Sequence, residues 1–113
     1  MPTRGDADLA KQLWAVGDPV RLRILRLLPQ MADCQHESNV SSLALKLGLS
    51  QPTVSHHLRV LRQAGMVSYR KMCRDVYYWI EPEAAGAMLR TLEQVFAGAA
   101  EAKPARRRSR GRG

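Results

Sequence analysis

Aromatic side chains are scarce in this sequence: one Phe, two Trp and three Tyr in 113 residues. Four of the six, Tyr69, Tyr77, Tyr78 and Trp79, crowd into one short stretch, so the aromatic mass belongs to a single local element. No apolar run approaches the roughly eighteen residues of a membrane helix. The opening "MPTRGDADLAKQ" also lacks the apolar centre of a signal peptide. Both absences exclude a membrane role and predict a cytoplasmic protein. Cysteine is nearly missing too. Cys34 and Cys73 are too few for a disulfide framework, and a cytoplasmic chain keeps its thiols reduced, so both are expected as free thiols. There is no paired-carboxylate signature, no phosphate-binding glycine loop and no nucleophile with an evident base, which argues against an enzyme.

The most informative absence is of acid. Between residues 38 and 74 there is no Asp or Glu, while Lys46, Arg59, Arg62, Arg70, Lys71 and Arg74 are all present. Such a stretch repels itself unless it faces an anion, and nucleic acid is the natural one. The overall charge of +8 is otherwise a property of the end of the chain. "KPARRRSRGRG" (103–113) holds six basic residues and no acid. Residues 1–102 carry twelve basic and ten acidic groups. The expected division is a folded domain over 1–102 and a disordered basic tail over 103–113.

The periodicity is helical almost throughout. "DADLAKQLWAV" (6–16) puts Leu9, Leu13 and Val16 at helical spacing before Gly17, and Asp18-Pro19 opens a second helix as N-cap and first residue. "PVRLRILRLL" places Val20, Ile24, Leu27 and Leu28 on one face, with Arg21, Arg23 and Arg26 elsewhere, and Pro29 ends it. Residues 30–39 have no period and read as a loop. A short helix over 41–47, capped by Ser41 and closed by Gly48, is followed by one starting at Ser50 and ending at Gly65. From 66 to 80 the period becomes two, around a turn at 72–75, which describes a basic-tipped β-hairpin. Residues 82–100 form a last helix, with Ala85, Met88, Leu89, Leu92, Val95, Phe96 and Ala99 on one broad side. The predicted fold is mainly α with a small hairpin wing: a winged helix-turn-helix.

At about 100° per residue, Val54, Leu58 and Leu61 form the buried stripe of the second motif helix. His57 lies at the edge of that stripe, whereas His56 falls on the opposite face. The adjacent histidines are therefore not a metal pair. A helix docked in the major groove offers its first residues to base edges. Gln51, Thr53, Ser55 and His56 occupy those positions, with Arg59 one turn later. Gln suits adenine and Arg suits guanine, and hydroxyls and arginines also hold phosphates. Thr53 and Ser55 have a competing local role in capping the helix start. Arg70, Lys71 and Arg74 on the wing are candidates for adjacent phosphates or the minor groove.

"AVGDPVRLRILRLL", "VSSLALKLGLSQPTVSHHLRVLRQAGMVSYRK" and "DVYYWI" together resemble the arsenic-repressor (ArsR/SmtB-type) family of small bacterial regulators, over about residues 9–96. The resemblance implies a homodimeric repressor on a palindromic double-stranded DNA operator, released by a metal, a metalloid or an oxidant. It also implies a dimer built from the first and last helices, here through Leu9, Leu13, Met88, Leu92 and Val95. The familiar sensing sites are missing by residue type. "SNVSSLAL" stands where a Cys-x-Cys is expected, and "AAGAMLRTLEQV", with only Glu93, stands where Asp-x-His and a later His pair are expected.

For a divalent or thiophilic metal this leaves "DCQHE" (33–37), in which Cys34 and His36 supply half of a zinc-like ligand set. A Cys34–Cys73 bridge looks excluded. The segment near Val40 should run antiparallel to the second wing strand. That sets the preceding loop near Ile80, and bridged Cα atoms must lie within about 7 Å. Two further readings stay open: an effector-blind repressor that works with a separate sensor protein, and a non-specific nucleic-acid binder dominated by its tail.

Overall fold

The computed structural model describes residues 4–99, so the expected basic tail over 103–113 lies outside the described residues. The order is α1 (Arg4–Val16), α2 (Pro19–Leu27), α3 (Val40–Leu47), α4 (Gln51–Gln63), β1 (Val67–Met72), β2 (Asp75–Ile80) and α5 (Pro82–Val95). This is a winged helix-turn-helix, as the periodicity predicts. Among the described residues, no helix is long and apolar enough to cross a membrane.

The termini of the elements are set by local chemistry. Asp18 caps α2, its carboxylate accepting from the Val20 and Arg21 amides at 2.9 and 3.1 Å. Pro19 follows, where its missing N–H costs nothing. Between α3 and α4, Gly48 takes a left-handed φ of 68°, and the Leu49 amide returns to the Ala44 carbonyl at 3.0 Å. That conformation is what makes the turn tight, and glycine adopts it without steric cost. Ser50 then caps α4, accepting from the Thr53 amide at 3.3 Å. The cap of α3 differs from expectation. Asn39, not Ser41, does the capping, its Oδ1 accepting from the Ser42 amide at 2.8 Å while Ser41 donates to the same oxygen. α5 is also shorter than its apolar pattern, ending at Val95 with Phe96 as its cap, so Ala99 lies beyond the helix.

The core joins Ile24 from α2 and its cap Leu28, Leu43, Ala44 and Leu47 from α3, and Val54, Leu58 and Leu61 from α4, with Ala15, Met66 and Val67. α1 packs on α2, α4 and α5, and β1 packs on α4. The wing is an antiparallel pair in register from Val67 opposite Ile80 to Met72 opposite Asp75. Tyr69 and Tyr78 face each other across it and stack at 5.6 Å between ring centroids. The Arg62 guanidinium lies 5.1 Å over Tyr69, which fastens the wing to the end of α4.

The irregular segment between α2 and α3 overturns the expectation for the cysteines. Both of its ends lie on the outer edge of β2: the Ile80 amide donates to Pro29 at 2.8 Å and the Tyr78 amide to Ser38 at 3.2 Å. The intervening residues extend along the hairpin toward its tip rather than away from it. Cys34 and Cys73 consequently sit with Cα atoms 6.3 Å apart and are joined as a disulfide, not held as two free thiols. The bridge spans a sequence separation of 39 residues, a loop whose closure entropy corresponds to about 4 kcal/mol. A second link lies beside it, the Asn39 side-chain amide donating to Asp75 at 2.9 Å.

The hairpin turn itself is only Cys73 and Arg74, at φ 52° and 72°. Positive φ at both positions belongs to the type I′ turn, which favours Asn and Gly. A side chain there carries a steric cost of roughly 1–2 kcal/mol. Arg74→Gly should therefore raise the melting temperature by a few degrees. An unchanged or lowered value in calorimetry would contradict the turn assignment.

Candidate nucleic-acid interface

One amphipathic helix carries both the core and the outward face. Val54, Leu58 and Leu61 are fully buried, and the same winding leaves Gln51, Thr53, His56 and Arg59 exposed with Ser55 half-buried. The Thr53 hydroxyl is engaged locally, accepting from Ser50 Oγ at 2.8 Å, while Ser50 rather than Thr53 caps the helix. Arg70, Lys71 and Arg74 are exposed on the wing. The structure thus gathers the eight sequence-selected residues onto two elements, the first turns of α4 and the outer half of the hairpin. Lys46 is the exception within the acid-free stretch, pairing with Glu37 at 3.5 Å.

The two histidines separate as the helix geometry requires. His56 is exposed and His57 half-buried. His57 is more than a boundary residue, because its Nδ1 lies 3.1 Å from Nη1 of Arg21. Guanidinium has only protons to offer, so Nδ1 accepts and the neutral ring carries its proton on Nε2. Arg21 is itself buried, only 7% exposed, donating from Nε to the Ala15 carbonyl and lying 5.1 Å over the Trp14 ring. This corrects the expectation that Arg21 points away from the core. Arg21, Ile24 and Leu28 form the buried spacing of three and four along α2, a signal that the charge of Arg21 obscures. Desolvation depresses the His57 pKa below 6.5, and the positive charge of Arg21 adds to that against an opposing pull from Asp18. The Asp18 carboxyl is held below its usual value chiefly by the Arg21 backbone amide. α1, α2 and α4 are thereby tied by one buried cation.

Other candidates fare unevenly. Leu9 is already buried within the chain at 6% exposure and leaves almost nothing for a partner. Leu13, Met88 and Leu92 are half-covered, and Val95 is 58% exposed. Trp14, Leu89 and Phe96, which sequence reasoning did not select for this role, are 67%, 60% and 61% exposed. Cys34 is consumed in the bridge and His36 is exposed. Among the described residues, no group of three or more His, Cys, Asp or Glu is placed to hold a metal ion. The proposed Cys34 and His36 pair therefore does not fit a metal centre in this state.

The sequence model of the bacterial regulatory protein arsR family matches residues 18–69, which span α2 through the first half of β1. Nodulation protein NolR of Rhizobium meliloti is 36% identical over 108 residues, covering 92% of this chain and 84% of that protein. The chain belongs to the ArsR family of transcriptional regulators. It is also 39% identical over 70 residues to a transcriptional repressor SmtB homolog of Synechocystis, covering 62% of this chain and 49% of that protein. A homodimeric winged helix-turn-helix DNA-binding domain from Mycobacterium bovis, described as a possible ArsR-family regulator, superposes with a TM-score of 0.61 at 32% identity. That overlap covers 84% of this chain and 82% of the other. The family is one of regulators rather than enzymes.

His57→Ala removes the acceptor of a buried guanidinium and should cost about 1–3 kcal/mol of stability. His56→Ala, on the open face, should stay within about 0.5 kcal/mol. Equal melting shifts would undo the face assignment. The depressed His57 pKa also has a sign. Its contribution is complete above 6.5, where neither state binds the proton, and is lost as pH falls from there through the folded value. His57→Asn, which retains an acceptor without titrating, should flatten that decline in thermal melts.

Proposed function

We propose that this ArsR-family chain is a homodimeric repressor that binds a palindromic operator in double-stranded DNA. In this reading α4 enters the major groove and the wing lies along the adjacent phosphates. The observation that carries it is the exposed, acid-free face formed by Gln51, Thr53, His56 and Arg59 with Arg70, Lys71 and Arg74. Arg59 reads a base or holds a phosphate, and the wing cations position the domain. Dimerisation is supported by the uncovered apolar side chains Trp14, Leu89, Val95 and Phe96 on α1, α5 and the α5 cap, and by the homodimeric state of the similar Mycobacterium bovis domain. The interface is drawn around Leu13, Met88, Leu92 and Val95, with Trp14 in the place first given to Leu9. The site of action is the cytoplasm.

A chemical signal releases the repressor in this reading. Of metal, metalloid and oxidant, the last is favoured by the bridged cysteines and by the lack of a metal-ligand cluster among the described residues. An effector-blind repressor coupled to a separate sensor protein is the second reading. Unchanged operator affinity with thiophilic or divalent metals and with peroxide would favour it.

Arg59→Ala should weaken binding to a selected operator by about 1–3 kcal/mol with little change in melting temperature. Intact affinity in a titration would remove α4 from the interface. Deleting residues 103–113 takes away six cations. It should reduce the slope of log affinity against log salt by at most about five, leaving sequence preference in place. Loss of all preference on that deletion would make the protein a non-specific binder led by its tail.

A further inference from the structure

The bridge encloses the helix-turn-helix and the first wing strand. Cys34 lies in the segment before α3, and Cys73 is the first residue of the wing turn, so α3, α4 and β1 all lie between the two sulfurs. Each end of the link is on an irregular segment, with Cys34 half-buried and Cys73 exposed, within reach of small oxidants and reductants. In a chain that works in a reducing compartment, such a bridge belongs to the transient, regulatory kind. We propose that Cys34 and Cys73 form a reversible thiol–disulfide switch, closed by peroxide, that sets the charge and position of the wing tip and so weakens operator binding. This inference rests on the operator-binding reading above.

Two observations give the switch its direction. The first is electrostatic. Closing the bridge holds Asp33, the neighbour of Cys34, beside a tip that bears Lys71, Arg74 and Asp75, while Glu37 stays paired with Lys46. That adds one carboxylate, beside the one Asp75 already supplies, to the neighbourhood of the wing cations and lowers their pull on a phosphate. The second is conformational. Cys73 and Arg74 hold positive φ without being Gly or Asn, so the turn relies on tertiary links to keep it there. With the sulfurs separated, the Asn39 to Asp75 hydrogen bond is the one other tie at the turn among the described contacts, and the tip gains freedom to follow the DNA backbone.

The chemistry balances with hydrogen peroxide as oxidant. The Cys73 sulfur, on the exposed turn, attacks one peroxide oxygen as its thiolate. A sulfur–oxygen bond forms as the oxygen–oxygen bond breaks, and the departing hydroxide takes up a proton to become water. Cys34 sulfur then attacks the sulfenic sulfur, forming the disulfide and expelling hydroxide, which leaves as a second water with the Cys34 proton. Two thiols have lost two electrons to one peroxide. A dithiol reductant reverses the step by exchange and is itself oxidised to a disulfide.

The test uses the full chain and a duplex enriched from a random-sequence pool by the dithiol-reduced protein. Affinity is read by fluorescence anisotropy, and the bridge by mass and by protection from alkylation. Peroxide should close the bridge and lower affinity by about tenfold or more, as expected for lost phosphate contacts, and dithiol should restore both. Cys34→Ser and Cys73→Ser should bind as the reduced protein does and ignore peroxide. A fully bridged protein that binds as tightly as the reduced one, or more tightly, overturns the switch. So does peroxide treatment that closes no bridge, or an equal loss of affinity in the serine variants. A reduced protein that enriches no sequence fails the operator reading itself, and the switch falls with it.

Discussion

The burial of Val54, Leu58 and Leu61 is the constraint on which the rest of the molecule turns. These three side chains are fully buried in one cluster with Ile24 and Leu43, and each contributes on the order of 1.5–3 kcal/mol by leaving water. Because α4 has a fixed period, seating that stripe inward leaves no choice about where Gln51, His56 and Arg59 point. The tight turn at Gly48 and the cap at Ser50 fix where the helix begins, and so which residues occupy its leading turn. The outward face and the core are two sides of one packing decision.

The parts legible in the sequence were those governed by local period and local caps. Asp18-Pro19, Gly48, Ser50 and the switch to a period of two at residue 66 each act over a few residues, and each marks an element boundary in the structure. The parts that were not legible are governed by contacts between distant segments. Asn39 outcompetes Ser41 as cap because its side chain is also held by Asp75, 36 residues away. The path of residues 30–37 has no period to follow, so its run toward the wing tip, and with it the meeting of the cysteines, shows only in three dimensions. Arg21 is a different case. Its position in the buried spacing of α2 was visible, but a guanidinium is rarely buried unless its donors are met. Here the Ala15 carbonyl and His57 meet them, on partners that the sequence does not pair.

α5 is unlike the other helices in having no buried residue in this single chain. Its Leu89 and Val95, with Phe96 at its end, face outward, and its contact within the chain is chiefly with α1. A 14-residue helix so lightly covered gains little from its own domain. Its apolar face is therefore consistent with a partner, as in the homodimeric domain it resembles, while the α2–α3–α4 cluster is complete without one.

The Arg21–His57 contact also confers a polarity on the surface of α4. An imidazole whose Nδ1 is committed to a permanent cation offers the outside world a single kind of group, the Nε2–H. Such a group can donate to an oxygen lone pair but has nothing to offer an amino group. A packing interaction beneath the helix thus acts as a chemical filter above it, restricting which atoms the half-exposed ring can accept as neighbours.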